Sequence, residues 1–228
     1  MKKFLLLSIT MIALSASAQT KSELEKHFEK YYKQMTAQGD IQGIINAMTH
    51  LDVLNPTQAR KDTLAYVYAS EGRHLEALNT IGIDKNPTDS NINVEVKALS
   101  LKALNQPKRA LEHYEVLFQR QANAYLAYEI ADLKIQLNDL AGAKTAIEYG
   151  LTNATSDMKR TYYEMQTPYQ VSLSAALTYL RAILIFNEDK EANTNEAVAV
   201  LNRALATDPN FNLAKISKEA LQARAAKE

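Results

Sequence analysis

The chain has 228 residues, in which 26 lysines and arginines balance 26 aspartates and glutamates. That balance leaves no basic stripe to displace counterions, which argues against nucleic-acid binding. Its 6 glycines and 5 prolines fall far below ordinary usage, and 46% of the residues are hydrophobic; together these disfavour β-sandwich, collagen-like and disordered chains.

Residues 1–18 are the first predicted element. Lys2 and Lys3 precede an apolar run from Phe4 to Leu14, and Ala16-Ser17-Ala18 closes it. This is the pattern of a cleaved export signal, so the mature chain is expected to start at Gln19. The run is too short for a membrane span, which needs about 20 apolar residues, and Ser8 and Thr10 interrupt it. Removal deletes two lysines and leaves a net charge of −2, with no later run of spanning length. With 0 cysteines, disulfides, thiolate chemistry, cysteine zinc sites and a lipid-bearing cysteine are all ruled out. A short signal on a cysteine-free chain points to a bacterial protein, exported to the periplasm or, as the alternative, secreted.

From there the chain repeats itself. Gly39, Gly72, Asn105 and Asn138 stand 33 residues apart, and both residue types accept the positive φ of a helix-ending turn. Five residues after each come Ile44, Ala77, Ala110 and Ala143; four further on come Met48, Ile81, Tyr114 and Ile147. Tyr32, Ala65, Ala98 and Ala131 lie seven residues before the turns. The spacing predicts two helices per unit joined by a tight turn, with small residues letting the helices approach. Such a hairpin cannot bury both faces alone, so neighbours must stack. Pro56 and Pro87 fall between units, and Pro107 suits a first helical turn. No segment longer than five residues alternates convincingly, so no sheet is expected.

These residues resemble the tetratricopeptide repeat (TPR) family. Leu64-Ala65-x2-Tyr68, Gly72 and Ala77-x3-Ile81 follow its pattern, as do Ala197-x3-Leu201-x2-Ala204-x4-Pro209 near the C-terminus. The family's tryptophan is absent and the turn residue varies, Gly in the first two units and Asn in the next two. The resemblance spans about 24–210 and implies an all-α chain: an α-solenoid of stacked antiparallel helical hairpins, a TPR-like superhelix with a capping helix.

The register breaks between Ala143 and Ala197, where 21 residues exceed the period. The expected organisation is a signal over 1–18, three to four repeats over 19–150, a linker or insertion over 151–168, and a last unit with its cap over 169–228. A polar linker at Asn153–Lys159, with Tyr162-Tyr163 following, and a loop at Asn187–Asn195 share the surplus. Thr167-Pro168 is expected to start a long helix between them. A last helix over about 210–226 alternates Leu213, Ile216 and Leu221 with lysines and Arg224, and supplies the cap.

Catalytic patterns are lacking. His27, His50, His74 and His113 form no H-E-x-x-H motif, and there is neither a G-x-S-x-G elbow nor a Gly-rich phosphate loop. The expectation is therefore a non-enzyme without metal or cofactor. The resemblance implies a groove lined by the first helix of each unit, with the positions ten and six before each turn facing a partner. Here they are Glu29 and Lys33, Asp62 and Tyr66, Glu95 and Leu99, Tyr128 and Asp132, with Tyr125 on the same wall. Chaperone-binding members clamp a terminal carboxylate with lysines and asparagines; this chain offers acids, which favour apolar or basic segments with tyrosine anchors. The expected function is a scaffold or adaptor binding a protein or peptide in the bacterial envelope. The alternatives are a homo-oligomer associating through the insertion, and an accessory protein binding a small ligand or glycan through Tyr162-Tyr163-Pro168-Tyr169.

Overall fold

The computed structural model describes residues 21–225; the expected signal, 1–18, lies outside the described residues. Two compact units divide the chain between Leu104 and Asn105.

The first unit is helical. Helix α1 occupies 21–38, followed by α2 (Ile41–Leu54), α3 (Gln58–Ser70), α4 (His74–Ile81) and α5 (Asn91–Ala103). Gly39 and Gly72 adopt φ of 68° and 73°. At each, the next N–H reaches back five residues: Asp40 to the Met35 carbonyl at 3.0 Å, Arg73 to that of Tyr68 at 2.9 Å. These bonds satisfy carbonyls that the helix leaves open. Side-chain caps start the next helices: Asp40 accepts from the Gly43 N–H, Thr57 from Arg60 and Ser90 from Asn93. Met35, Ile44, Ile45, Met48 and Leu64 form one core cluster; Ala65, Ala69, Ala77 and Val96 form another. The α4–α5 loop is tied down by Lys97, a buried lysine whose Nζ donates to Asp89 at 2.6 Å and to the Asp84 carbonyl at 2.9 Å. Both partners are needed, because a buried ammonium is tolerated only when paired and hydrogen-bonded.

The second unit contains α6 (Pro107–Arg120), α7 (Ala124–Gln136), α8 (Leu140–Asn153), α9 (Leu173–Glu188), α10 (Thr194–Thr207) and α11 (Asn212–Ala225). Asn105 and Asn138 take φ of 56° and 60°, as the turn spacing requires. Ala143, Ile147, Leu173, Leu177, Leu180, Val200, Leu201, Ala204 and Phe211 belong to one continuous core. Gly150 lets α8 and α9 close up, since a Cβ there would lie 2.7 Å from Leu177.

The expectation of no sheet is overturned. Between α8 and α9, β1 (Lys159–Tyr162) pairs antiparallel with β2 (Tyr169–Ser172), Tyr162 opposite Tyr169. The strands are four residues each, shorter than the alternation that reads as a strand in isolation. Their stability comes from packing: Val171 is fully buried, and the Leu173 N–H donates to the Met158 carbonyl at 2.9 Å. The long helix accordingly starts at Leu173 rather than at Thr167-Pro168, capped by Ser172, whose Oγ accepts from the Ala175 N–H. The second expected loop is also shorter, because α9 runs to Glu188 and α10 begins at Thr194.

Candidate functional site

In the first unit the predicted face is set by the first helix of each repeat. Glu29 and Lys33 of α1 are exposed, as are Tyr66 of α3 and Glu95 and Leu99 of α5. Tyr66 is 55% exposed and Leu99 45%, although Ala65 and Ala98 beside them are fully buried. The two occupy the same place in successive repeats, so one phase of α3 and α5 turns a large apolar side chain outward. Ile92 and Glu95 share that exposed side of α5 with Leu99, at helical spacings of three and four.

Asp62 departs from expectation. It is only 4% exposed, and its carboxylate accepts from Gln58 Nε2 at 2.8 Å, Ser90 Oγ at 2.6 Å and Asn93 Nδ2 at 2.8 Å. The last two bonds join α3 to the start of α5, which makes Asp62 a brace rather than a ligand group. The signal that would have separated it from Glu29 and Glu95 was the cap residue Ser90 and the first-turn Asn93 of α5, 28 and 31 positions on.

In the second unit the predicted residues sit on α7, and the hairpin lies against them. Tyr128 is buried, 4% exposed, which corrects its placement on an open face. The Arg160 guanidinium stacks 3.9 Å from the Tyr128 ring centroid and donates to Glu129 Oε1 at 2.7 Å. Tyr128 Oη and Tyr162 Oη are 2.9 Å apart, and the exposed Tyr125 accepts from the Lys159 N–H at 3.3 Å. Asp132 is half-buried. Tyr162 also packs on Tyr169 and Phe211, and Phe211 on Tyr179. Tyr169 Oη accepts from the Leu213 N–H at 3.1 Å, so the hairpin also reaches α11.

Electrostatics follow from this packing. Burial raises the phenol pKa of Tyr128, Tyr162 and Tyr179 above the ordinary value, and pushes Tyr169 up to about 12 with help from Glu164. Burial opposes the charge of Arg160, but Glu129 and Tyr128 outweigh it and hold its pKa above the usual range. Arg160 and Glu129 were missed at the sequence level because they serve a strand that shows only after folding.

Of the other predicted aromatic group, Tyr162 and Tyr169 are half-buried in this cluster, while Tyr163 is 74% exposed at the hairpin tip. The histidines pack: His50 stacks on Phe28 at 4.2 Å, His74 Nδ1 lies 3.3 Å from Ser100 Oγ, and His113 is buried. A cavity of about 440 Å³ in the first unit is lined by Phe28, Tyr31, Asn46, His50, Tyr68 and Arg73 among others. Arg73 in that lining is engaged, with its Nε 3.0 Å from Glu76 and its guanidinium over Tyr68. Among the described residues no group of three or more His, Asp or Glu is arranged to hold a metal, and no helix is long and apolar enough to cross a membrane.

No protein-family model matches the sequence, and no curated protein does. Solved structures match the fold. A tetratricopeptide repeat protein from Parabacteroides merdae ATCC 43184 aligns over 90% of this chain and 75% of its own, with TM-score 0.67 and 16% identity. YrrB, a TPR protein with an unusual peptide-binding site, aligns over 91% of this chain and 98% of its own, with TM-score 0.67 and 13% identity. A chain of the Cut9–Hcn1 hetero-tetramer of APC/C aligns over 90% of this chain and 40% of its own, with TM-score 0.53 and 15% identity. At these identities the likeness is one of fold. The chain has the TPR-like fold of stacked helical hairpins.

Proposed function

We propose that this protein is a non-catalytic scaffold that binds a protein or peptide segment along the first-helix face of its N-terminal unit, in the bacterial cell envelope. The observation that carries the reading is the outward placement of Tyr66 and Leu99 at one phase of successive repeats, with Glu29, Lys33 and Glu95 exposed on the same first helices. Apolar anchors rimmed by charge are what an interface core requires. YrrB, with its peptide-binding site, is a precedent for this fold holding peptides. The envelope assignment rests on the basic-apolar-A-x-A pattern of residues 1–18.

The test is affinity capture from envelope extract, comparing the protein with a Tyr66→Ala/Leu99→Ala variant. Both side chains are exposed, so the variant should melt at the parent temperature while its partner is lost. Capture that is indifferent to the double substitution would remove this face from consideration. Self-association is the second reading, favoured by Tyr163, 74% exposed, and Met165, 49% exposed, at the hairpin tip. Light scattering decides it: a monomer at tens of micromolar counts against assembly.

A further inference from the structure

The second unit holds a cavity that its own packing leaves open. It measures about 340 Å³, lies among α6, α7 and α8, and is lined chiefly by Phe118, Ala127, Ile130, Lys134, Ala146 and Tyr149. Ala127 and Ile130 are buried and form an apolar floor, while Phe118, Ala146 and Tyr149 are half-buried walls reached from solvent. The repeat explains the space. Four residues before each turn stand Met35, Tyr68, Leu101 and Lys134, three large uncharged side chains and then a lysine. Met35 is buried against Gly43, where a Cβ would fall 2.4 Å from its sulfur. Gly142 holds the place of Gly43 after the fourth turn, yet a Cβ there would meet the Asp139 carboxylate first, at 2.3 Å. Lys134 turns its ammonium outward instead, 3.2 Å from Glu115 and 3.1 Å from Asp139. Its stem borders the space and its head group leaves it.

The lining decides what can enter. Phe118 and Tyr149 meet edge to face with ring centroids 4.9 Å apart, an arrangement that a further ring extends. Charge is settled at the rim, where Lys134 is shared between two carboxylates. An anion would find the cation taken and two acids beside it, and a cation would have to compete with Lys134 for them. Glu115 and Asp139 keep their water, with side chains 43% and 47% exposed. A protein closing over the rim would strip that water at a cost, whereas a small neutral molecule beneath it leaves the charges solvated.

We infer that the α6–α7–α8 cavity is a binding site for a small neutral molecule of one or two aromatic rings. Its volume and its apolar lining with a polar rim are those of ligand pockets. Phe118, Ala146 and Tyr149 belong to the second helices α6 and α8, so the site lies apart from the first-helix face and is independent of the scaffold reading.

The probe is N-phenyl-1-naphthylamine, a neutral aromatic dye that fluoresces in apolar surroundings, titrated into the whole protein. Saturable enhancement with one dye per chain is expected. Ala146→Leu fills the cavity from its half-buried wall and should weaken binding at least tenfold without lowering the melting temperature. Ala146→Val adds one carbon fewer and should fall between, which keeps the test open if the leucine variant misfolds. Absence of saturable binding overturns the inference, as does an affinity indifferent to both substitutions. A signal that survives Ala146→Leu but is lost in Tyr66→Ala/Leu99→Ala also overturns it, because the dye then sits on the first-helix face. Capture of a protein partner that fails with Ala146→Leu, in a chain that never takes the dye, gives the cavity to a partner's side chain and overturns the small-molecule assignment.

Discussion

At the scale of single residues, the turns govern this fold. Asn138 holds φ of 60° while its N–H donates to the Ile135 carbonyl at 3.0 Å and the next N–H, of Asp139, reaches Lys134 at 2.8 Å. A side chain bearing Cβ is strained there by about 1–2 kcal/mol, which asparagine partly offsets and glycine avoids. Asn138→Ala should therefore lose about 1 kcal/mol, and Asn138→Gly should match or slightly exceed the parent. Urea denaturation of the two variants checks the order; alanine as stable as glycine would mean that the turn is not held in this conformation. The same positive-φ requirement made the turns legible in advance, because few residue types meet it. Asp62 and Tyr128 were not legible. Their phase on the helix matches that of exposed neighbours, and burial was decided by partners far along the chain: Ser90 and Asn93 for one, Arg160 and Tyr162 for the other.

At the scale of elements, the hairpin between α8 and α9 is the departure from a plain repeat. Lys159-Arg160-Thr161-Tyr162 carries too short a pattern to announce a strand, and its pairing is stabilised by the helices beneath it. Those helices hold it through tyrosines whose hydroxyls must stay neutral. Burial raises Tyr128, Tyr162 and Tyr179 above the ordinary phenol value near 10, and carries Tyr169 to about 12. The folded state thus binds these protons more tightly than the unfolded chain. Their contribution is fully present below about pH 10 and is lost as pH rises through the folded values. Melting temperature should be flat from pH 7 to 9 and fall steeply beyond 10. Tyr162→Phe should flatten that alkaline fall while lowering the melting temperature at pH 7, because the bond to Tyr128 Oη, on the order of 1 kcal/mol, is gone. An alkaline profile identical to the parent's would show that Tyr162 titrates as a solvated phenol.

At the scale of the whole molecule, individual helices are buried unequally, and α9 and α4 are two extremes. In the second unit, α9 buries Leu173, Ala175, Ala176, Leu177, Leu180, Ala182 and Leu184, and α10 buries Ala197, Val200, Leu201 and Ala204. Phe211 and Val171 pack into the same cluster, so helix and hairpin share one core. In the first, α4 spans eight residues, buries Ala77 and Leu78, has no side-chain cap at its start, and ends at Gly82 with φ of 81°. Stacked hairpins draw their stability from nearest neighbours, so differences of this kind stay local instead of averaging over the chain. Opening α4 exposes little apolar surface, whereas opening α9 exposes a full core face, and each tenfold of protection corresponds to about 1.4 kcal/mol. Native-state hydrogen exchange should find the slowest amides in α9 and α10 and exchange at least a hundredfold faster in α4. The Lys97–Asp89 pair, 2.6 Å apart and buried, sets the boundary: amides of α5 beyond Lys97 should be protected more than those of α4. Uniform protection from α3 to α10 would mean that the chain opens as one cooperative body and that the boundary at α4 has no energetic counterpart.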